Sequence, residues 1–432
     1  MAEICVNPQK SSTYMLFERK QYLQQLITAE DNGMIKIITG IRRCGKSFLL
    51  FNLYKHNLLS RGIPANHIIE VNLEDRRCKK LRDPDNLLQY IDSQIKDPEK
   101  YFILLDEIQL VPEFEDVLNS FLHIGNVNVY VTGSNARFLS KDVITEFRGR
   151  GWEIRIRPLS FAEYYEKVGG GKQEALENYY LYGGLPAAVQ LEKPEDKQKY
   201  LKEIFETVYL KDVLQRNHLR NAHGMSELIR ILASSEGSSI NVQRISNTFK
   251  SVSKVDIGAN TINRYLGHLQ DSFIISEAQR YDIKGRKYIG TETKYYFEDT
   301  GIRNAVVGFR QIEYNHSMEN VIFNELCRMG YTIDIGMVET FDNADGKTIR
   351  KNLEIDFVVN RHDQRVYIQS VYRIPNEQKR NQELASFRNV ADGFRKILIE
   401  GDRYITHYNE EGILVMSLFD FLLKGIAETL TK

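Results

Sequence analysis

Gly40-Ile41-Arg42-Arg43-Cys44-Gly45-Lys46-Ser47 is the stretch whose reading decides the fold. It matches GxxxxGK[ST] at every fixed position. Before it, Ile35-Lys36-Ile37-Ile38-Thr39 is a short β-branched run that predicts a strand, and Phe48 to Tyr54 after it predicts a helix. A strand, a glycine-bracketed loop and a helix N-terminus make an anion site, because backbone N–H groups and the helix dipole converge on one point. Gly40, Ile41, Arg42, Arg43, Cys44, Gly45, Lys46, Ser47 and Phe48 are the candidate nucleotide-binding residues. Lys46 would reach the β- and γ-phosphates, and the Ser47 hydroxyl would ligate Mg²⁺.

A single motif of this length arises by chance, so a second signal is needed. Tyr101-Phe102-Ile103-Leu104-Leu105-Asp106-Glu107 supplies it. The apolar run predicts a fully buried parallel strand. Its two carboxylates fall at the C-terminal end, where doubly wound sheets bind ligands. Asp106 is the candidate metal residue beside Ser47, and Glu107 the candidate base that orients and deprotonates a water. The ordinary alternative is a buried strand that ends in a solvated acidic turn. No Asn-Lys-x-Asp run is present to read guanine, so ATP is expected rather than GTP.

A further strand is predicted over Val127–Asn135. Thr132, Ser134 and Asn135 at its polar end would lie near the γ-phosphate, with Ser134 and Asn135 the expected contacts. They would serve equally as a helix cap, since Ser and Asn favour that position. Phe147-Arg148-Gly149-Arg150-Gly151 follows. Arg148 and Arg150 are candidates to neutralise a transferring phosphoryl group, in the same chain or a neighbouring copy. A solvated turn is the plain alternative. Strands alternating with helices predict an α/β domain with a parallel sheet.

The chain has 432 residues, enough for two to four domains. Lys+Arg and Asp+Glu each number 58, so net charge offers no global case for nucleic-acid or membrane binding, and local patches must carry any such role. Four dispersed cysteines (Cys5, Cys44, Cys78, Cys327) have no metal-ligand spacing and fit a reduced, cytoplasmic compartment. No apolar run approaches the roughly 18 residues of a membrane span, and no signal-peptide core is seen.

Residues 161–222 predict helices broken at Tyr182-Gly183-Gly184-Leu185-Pro186. Residues 223–310 predict three helices, at 225–233, 242–250 and 257–271, followed by a hairpin from 274–281 and 294–297. That is the order of a winged helix-turn-helix. Its third helix would present Asn260, Thr261, Asn263, Arg264 and His268 to a major groove, and Lys284, Arg286 and Lys287 at the wing would meet phosphates. A protein-docking role for the same module is the competing expectation. Residues 311–432 predict helix, two strands, helix and strand. That order resembles the restriction-endonuclease fold, with Asp356 as its acid and Gln369 opening its [EQ]-x-K element. The lysine position holds Val371, so a domain that does not cut is expected.

Gly40–Ser47, Leu104–Gln109, Val131–Asn135, Phe147–Arg150, Pro158–Phe161, Tyr182–Pro186 and Glu354–Asp356 together resemble one family over about residues 15–425. These are prokaryotic AAA-type ATP-binding proteins, close to archaeal-type ATPases, with a C-terminal domain of nuclease-like fold. The resemblance implies a P-loop ATPase domain over 1–160, a helical subdomain over 161–222, a winged helix over 223–310 and a nuclease-like domain over 311–432. It implies ATP and Mg²⁺ as cofactors. The expected role is ATP hydrolysis coupled to domain movement on double-stranded DNA or a DNA-bound partner. A protein-docking switch and an ATP-gated nuclease are the alternatives, and a homo-oligomer is an open possibility.

Overall fold

The computed structural model describes residues 16–133, 149–217, 219, 221–235, 237–253, 257–310, 313–344, 347–403 and 405–430. Two compact units emerge. The first comprises residues up to Pro158 with Leu185–Gln190 and Asp271–Phe273; the second comprises Leu159–Gly184, Leu191–Gln270 and Ile274 onward.

The first unit is built on five parallel strands: β1 (Ile35–Thr39), β2 (Ile68–Asn72), β3 (Tyr101–Asp106), β4 (Val127–Thr132) and β5 (Gly151–Arg155). Their order is β2-β3-β4-β1-β5. Strands β1 and β3 are buried at every residue, as their unbroken apolar runs require of a sheet covered on both faces. On one face Ile103, Leu105, Val129 and Val131 pack with Leu87, Ile91, Leu118 and Phe121 from helices Pro84–Gln94 and Phe114–Phe121. Asp83 caps the first of these helices through Asn86 N–H, with Pro84 at its first position. The fold class is thus α/β with a P-loop parallel sheet.

The helix after the loop begins at Lys46 and runs through a wider turn at Leu49–Tyr54 to Ser60. Tyr54, Leu50 and Leu58 on it are fully buried. The strand expected over Val127–Asn135 is observed to Thr132; Ser134, Asn135 and Arg148 lie outside the described residues.

In the second unit, the helical stretch from Phe161 is interrupted where the Gly-Gly pair predicts. Gly183 has φ 71°, and a Cβ there would stand 2.2 Å from the Asp299 carboxylate. Gly184 donates its N–H to Asp299 Oδ2 at 2.7 Å, and a Cβ on it would strike the Leu159 carbonyl at 2.3 Å. Three helices follow at Ala222–Ser234, Val242–Thr248 and Ala259–Asp271, then β6 (Ile275–Asp282) and β7 (Lys287–Phe297) as an antiparallel pair.

That hairpin does not stand alone. Strand β6 also pairs in parallel with β8 (Thr332–Ala344), which continues through β9 (Lys347–Arg361), β10 (Gln364–Val371) and β11 (Arg395–Glu400). Strands β12 (His407–Tyr408) and β13 (Leu414–Ser417) complete an eight-stranded sheet in the order β12-β13-β11-β10-β9-β8-β6-β7. The stretches expected as separate domains, 223–310 and 311–432, therefore share one sheet. The expected helix, strand pair, helix and strand are all present, with β8, β12 and β13 in addition.

Candidate functional site

Loop and acidic strand meet in the first unit. Strand β4 lies between β3 and β1, and its Thr132 sits level with Ile38 of β1. Ser47 Oγ donates to Asp106 Oδ1 at 2.8 Å. The Thr132 hydroxyl donates to the same Asp106 oxygen, and Thr132 Oγ1 accepts from Glu107 N–H at 3.0 Å. One threonine thus fixes both carboxylate residues. Asp106 is 2% exposed, and burial pushes its carboxyl up to about 6, against the opposing pull of Thr132, Ser47 and Lys46.

The loop can be built only with glycines at its ends. Gly40 has φ 138°, and a Cβ there would lie 2.1 Å from the Ile156 carbonyl oxygen. Gly45 has φ 102°, which turns the chain into the helix. Lys46 is 5% exposed, and its ammonium donates to Gly40 O at 2.9 Å and Ile41 O at 3.2 Å, which holds it across the loop mouth. Cys44 is buried with its thiol on the Ile156 carbonyl at 3.6 Å, a core position inside the loop. Arg43, at φ 67°, and Phe48 are exposed; Arg42 is half-buried and Ile41 is core.

Glu107 takes a left-handed backbone at φ 54°, which lifts its side chain off the strand direction. Gln109 donates its side-chain amide to Glu107 Oε2, so the carboxylate is held in one orientation. Gln109 is a positioning residue with no motif signal, and Thr132, expected near the γ-phosphate, holds the two carboxylate residues in place. The strand order puts Thr132 of β4 beside β3, whereas Gln109 reaches Glu107 from two residues along the chain.

The residues present fit a metal-bound nucleoside triphosphate. The hydroxyl and carboxylate on one side are within hydrogen-bond distance of each other, an ammonium crosses the mouth, and the loop's glycines leave room for phosphate against the backbone. Ser47 and Asp106 are the groups that would hold Mg²⁺, which when bound supplies charge neutralisation across the phosphates.

Residues 32–165 match the family described as AAA domain, and residues 173–313 match a family described as a domain of unknown function. An uncharacterised protein of Haemophilus influenzae is 33% identical over 415 residues, which is 95% of this chain and 99% of that protein. This chain belongs to that protein's family, and residues 32–165 are its AAA domain. An uncharacterised protein of Methanocaldococcus jannaschii is 27% identical over 399 residues, 89% of this chain and 85% of that protein. Among solved structures, the Walker-type ATPase of Pyrococcus abyssi aligns at 16% identity over 68% of this chain and 96% of that chain, with a TM-score of 0.47.

Within the AAA domain Arg150 is not part of the loop site. It precedes β5, and its carbonyl accepts from Ile35 N–H at 2.8 Å at the start of β1. The phosphate loop follows the other end of β1, five residues away, or roughly 15 Å along the strand. Parallel strands put the two at opposite ends of the sheet, so exposed Arg150 does not reach its own chain's phosphates.

The other candidates fall in the second unit. On helix Ala259–Asp271, Asn260, Asn263 and Arg264 are exposed, while Thr261 and His268 are half-buried. Lys284, Arg286 and Lys287 are exposed in the β6–β7 turn, but Lys284 Nζ donates to the Glu339 carbonyl at 2.7 Å on β8. The turn expected to meet phosphates is thus tied to the sheet through Lys284.

Around Asp356 the polar groups are mutually engaged. Asp356 Oδ2 accepts from Ser370 N and Oγ at 2.8 and 2.7 Å. Gln369 Nε2 donates to Glu383 Oε2 at 3.1 Å. Lys294 of β7, buried, bridges Glu319 Oε1 at 2.9 Å and Glu354 Oε1 at 2.7 Å. Among the described residues, no group of three or more His, Cys, Asp or Glu is placed to hold a metal ion, and no helix is long and apolar enough to cross a membrane.

Proposed function

We propose that this chain hydrolyses Mg·ATP in its AAA domain and uses the cycle to reposition its second unit. The observation that carries this is the Ser47–Asp106 hydrogen bond at 2.8 Å, with Glu107 beside it. In this reading Lys46 binds the phosphates, Ser47 and Asp106 hold the metal, and Glu107 orients the attacking water and takes its proton. Thr132 and Gln109 keep the two carboxylates in place. Ser134 and Asn135 remain candidate γ-phosphate contacts. Arg148 and Arg150 are assigned to a neighbouring copy's nucleotide.

Duplex DNA is the proposed target of that movement, read by Asn263, Arg264 and His268 with Lys284, Arg286 and Lys287 on phosphates. The decisive experiment is steady-state ATP hydrolysis with and without duplex DNA, beside Lys46→Ala. Turnover that rises with DNA and vanishes in the variant supports the proposal. Turnover indifferent to DNA removes the DNA part and leaves the ATPase.

A second reading is a nucleotide-dependent protein-docking switch. Two observations favour it. Asn263 and Gly267 line a cleft of about 260 Å³ with Glu277 and Glu292, so carboxylates rather than cations border that flank of the third helix, Glu292 paired with Arg280. The hairpin is also a member of the large sheet rather than a free wing. ATP-gated cutting is the third reading, and it has the least support, because Val371 stands at the lysine position, Ser370 holds Asp356 Oδ2 and Gln369 Nε2 donates to Glu383.

A further inference from the structure

The second unit holds a cavity of about 730 Å³ that shares no residue with the phosphate loop. Three segments line it: the β6–β7 turn with Tyr281, Lys284 and Arg286, the β9–β10 turn with His362 and Arg365, and the loop that carries Phe394. The first wall is fixed in shape. Gly285 N–H donates to Asp282 Oδ1 at 2.9 Å, and Lys284 is anchored on the Glu339 carbonyl. In the second wall, Arg365 Nε donates to Asn360 Oδ1 at 2.8 Å, and its guanidinium sits 5.1 Å from the Tyr281 ring centre and 5.5 Å from that of Phe394. The cation is therefore held between two rings at the cavity wall.

Charge and shape together select a ligand. Lys284, Arg286 and Arg365 bring three fixed positive charges. Of the two lining carboxylates, Asp363 is exposed on the β9–β10 turn, and Asp392 is turned onto Tyr367 OH at 2.6 Å and Phe394 N–H at 3.2 Å, which leaves a net positive lining. Phe394 is 43% exposed, with the Arg365 guanidinium over its ring. An anion with a planar face matches a cationic rim next to a partly exposed ring. The volume falls within the roughly 300–1,000 Å³ of sites for small ligands, which suits one nucleotide and not the width of a duplex. Bases in a duplex hide their faces in the stack, whereas an unpaired base can lie on an aromatic ring while its phosphate meets cations.

We infer that this cavity binds a nucleotide unit of single-stranded nucleic acid, with its phosphate against Lys284 and Arg286 and its base on Phe394. The inference shares two cations with the duplex reading above and stands without it, since helix Ala259–Asp271 takes no part.

The test is fluorescence anisotropy of the full chain with a short labelled oligo-dT strand and, separately, a labelled duplex. Deoxythymidine monophosphate and poly-glutamate serve as competitors. Phe394→Ala should weaken strand binding at least about five-fold, the lower end for one stacked base, with duplex binding unchanged. Phe394→Tyr should restore it. Because Phe394 also meets Tyr367 edge-on, a second variant guards against a folding defect. Arg286→Ala, at an exposed turn, should flatten the salt dependence of strand binding by a log–log slope of about 0.7. The inference is overturned by no strand binding, or by unchanged strand affinity in Phe394→Ala. It is equally overturned by loss of strand binding in Arg264→Ala instead, by displacement by poly-glutamate with no dependence on Phe394, or by the monophosphate binding as tightly as the strand.

Discussion

Ser47 and Asp106 are 59 residues apart in sequence and joined by a 2.8 Å hydrogen bond. The bond runs from the first turn after the phosphate loop to the end of strand β3, across the strand that lies between β1 and β3. Two motifs that each recur by chance are thereby brought to one point, and that point is where a metal-bound triphosphate would sit. Neither motif alone specifies this. The strand order β2-β3-β4-β1-β5 does.

Glu107→Gln keeps the shape and the Gln109 contact partner but removes the charge that would take a proton. We expect nucleotide binding within a few-fold of wild type and hydrolysis slower by about 10²–10⁴, the usual contribution of a general base. Isothermal titration with a non-hydrolysable ATP analogue, beside a phosphate-release assay, separates the two. A variant that hydrolyses ATP at the native rate would remove Glu107 from its role.

Thr132→Val removes the hydroxyl that donates to Asp106 and accepts from Glu107 N–H while keeping the buried volume. The expected result is a fall in kcat of roughly ten-fold or more, the equivalent of one hydrogen bond to a charged group, with KM little changed. Thr132→Ser should recover most of the rate. If Val and Ser behave alike, the hydroxyl does not position the carboxylates.

Much of this arrangement was legible in the residues. The loop and the acidic strand are local patterns, and the turn at Gly183-Gly184 announced itself by composition. Strand β8 was missed because Asp334 and Gly336 interrupt its apolar residues, although residues 333–338 are all buried, and its identity comes from pairing with β9. The fate of the wing was also hidden. Nothing in Ile275–Asp282 states that it pairs with a strand some 55 residues later. Arg150 looked like a phosphate ligand because it follows β4 in sequence, yet parallel strands place it at the opposite sheet end. Partners fixed by long-range pairing are not written in any window of the chain.

Lys294 is 3% exposed among Glu319, Glu354 and Asp356. Burial alone would lower its pKa, but those carboxylates raise it above the ordinary lysine value, so it stays charged. Lys294→Met leaves buried carboxylates without their cation. The loss in stability should be about 3–5 kcal/mol, measured by urea unfolding of the second unit's transition. The double change Lys294→Met with Glu319→Gln should recover part of it, and a neutral outcome for the single variant would show that solvent already screens the cluster.

Asp299 provides a pH signature in the fold. It is buried, its oxygens accept from Gly184 N–H and Ile302 N–H, and burial raises its carboxyl from 3.8 to about 6 against those hydrogen bonds. A carboxyl with a raised native pKa binds more protons folded than unfolded across that window. Stability contributed by this group is therefore full below about pH 4 and declines as pH rises to about 6, by ~3 kcal/mol in all. Asp299→Asn cannot titrate, so it removes this slope while weakening the backbone hydrogen bonds that one of its oxygens accepts. Urea unfolding of both chains from pH 4 to pH 7 should show wild type losing stability relative to the variant up to about pH 6, then running parallel to it. Curves that are parallel throughout would mean that the Gly184 and Ile302 hydrogen bonds outweigh burial and keep Asp299 ionised at all these pH values.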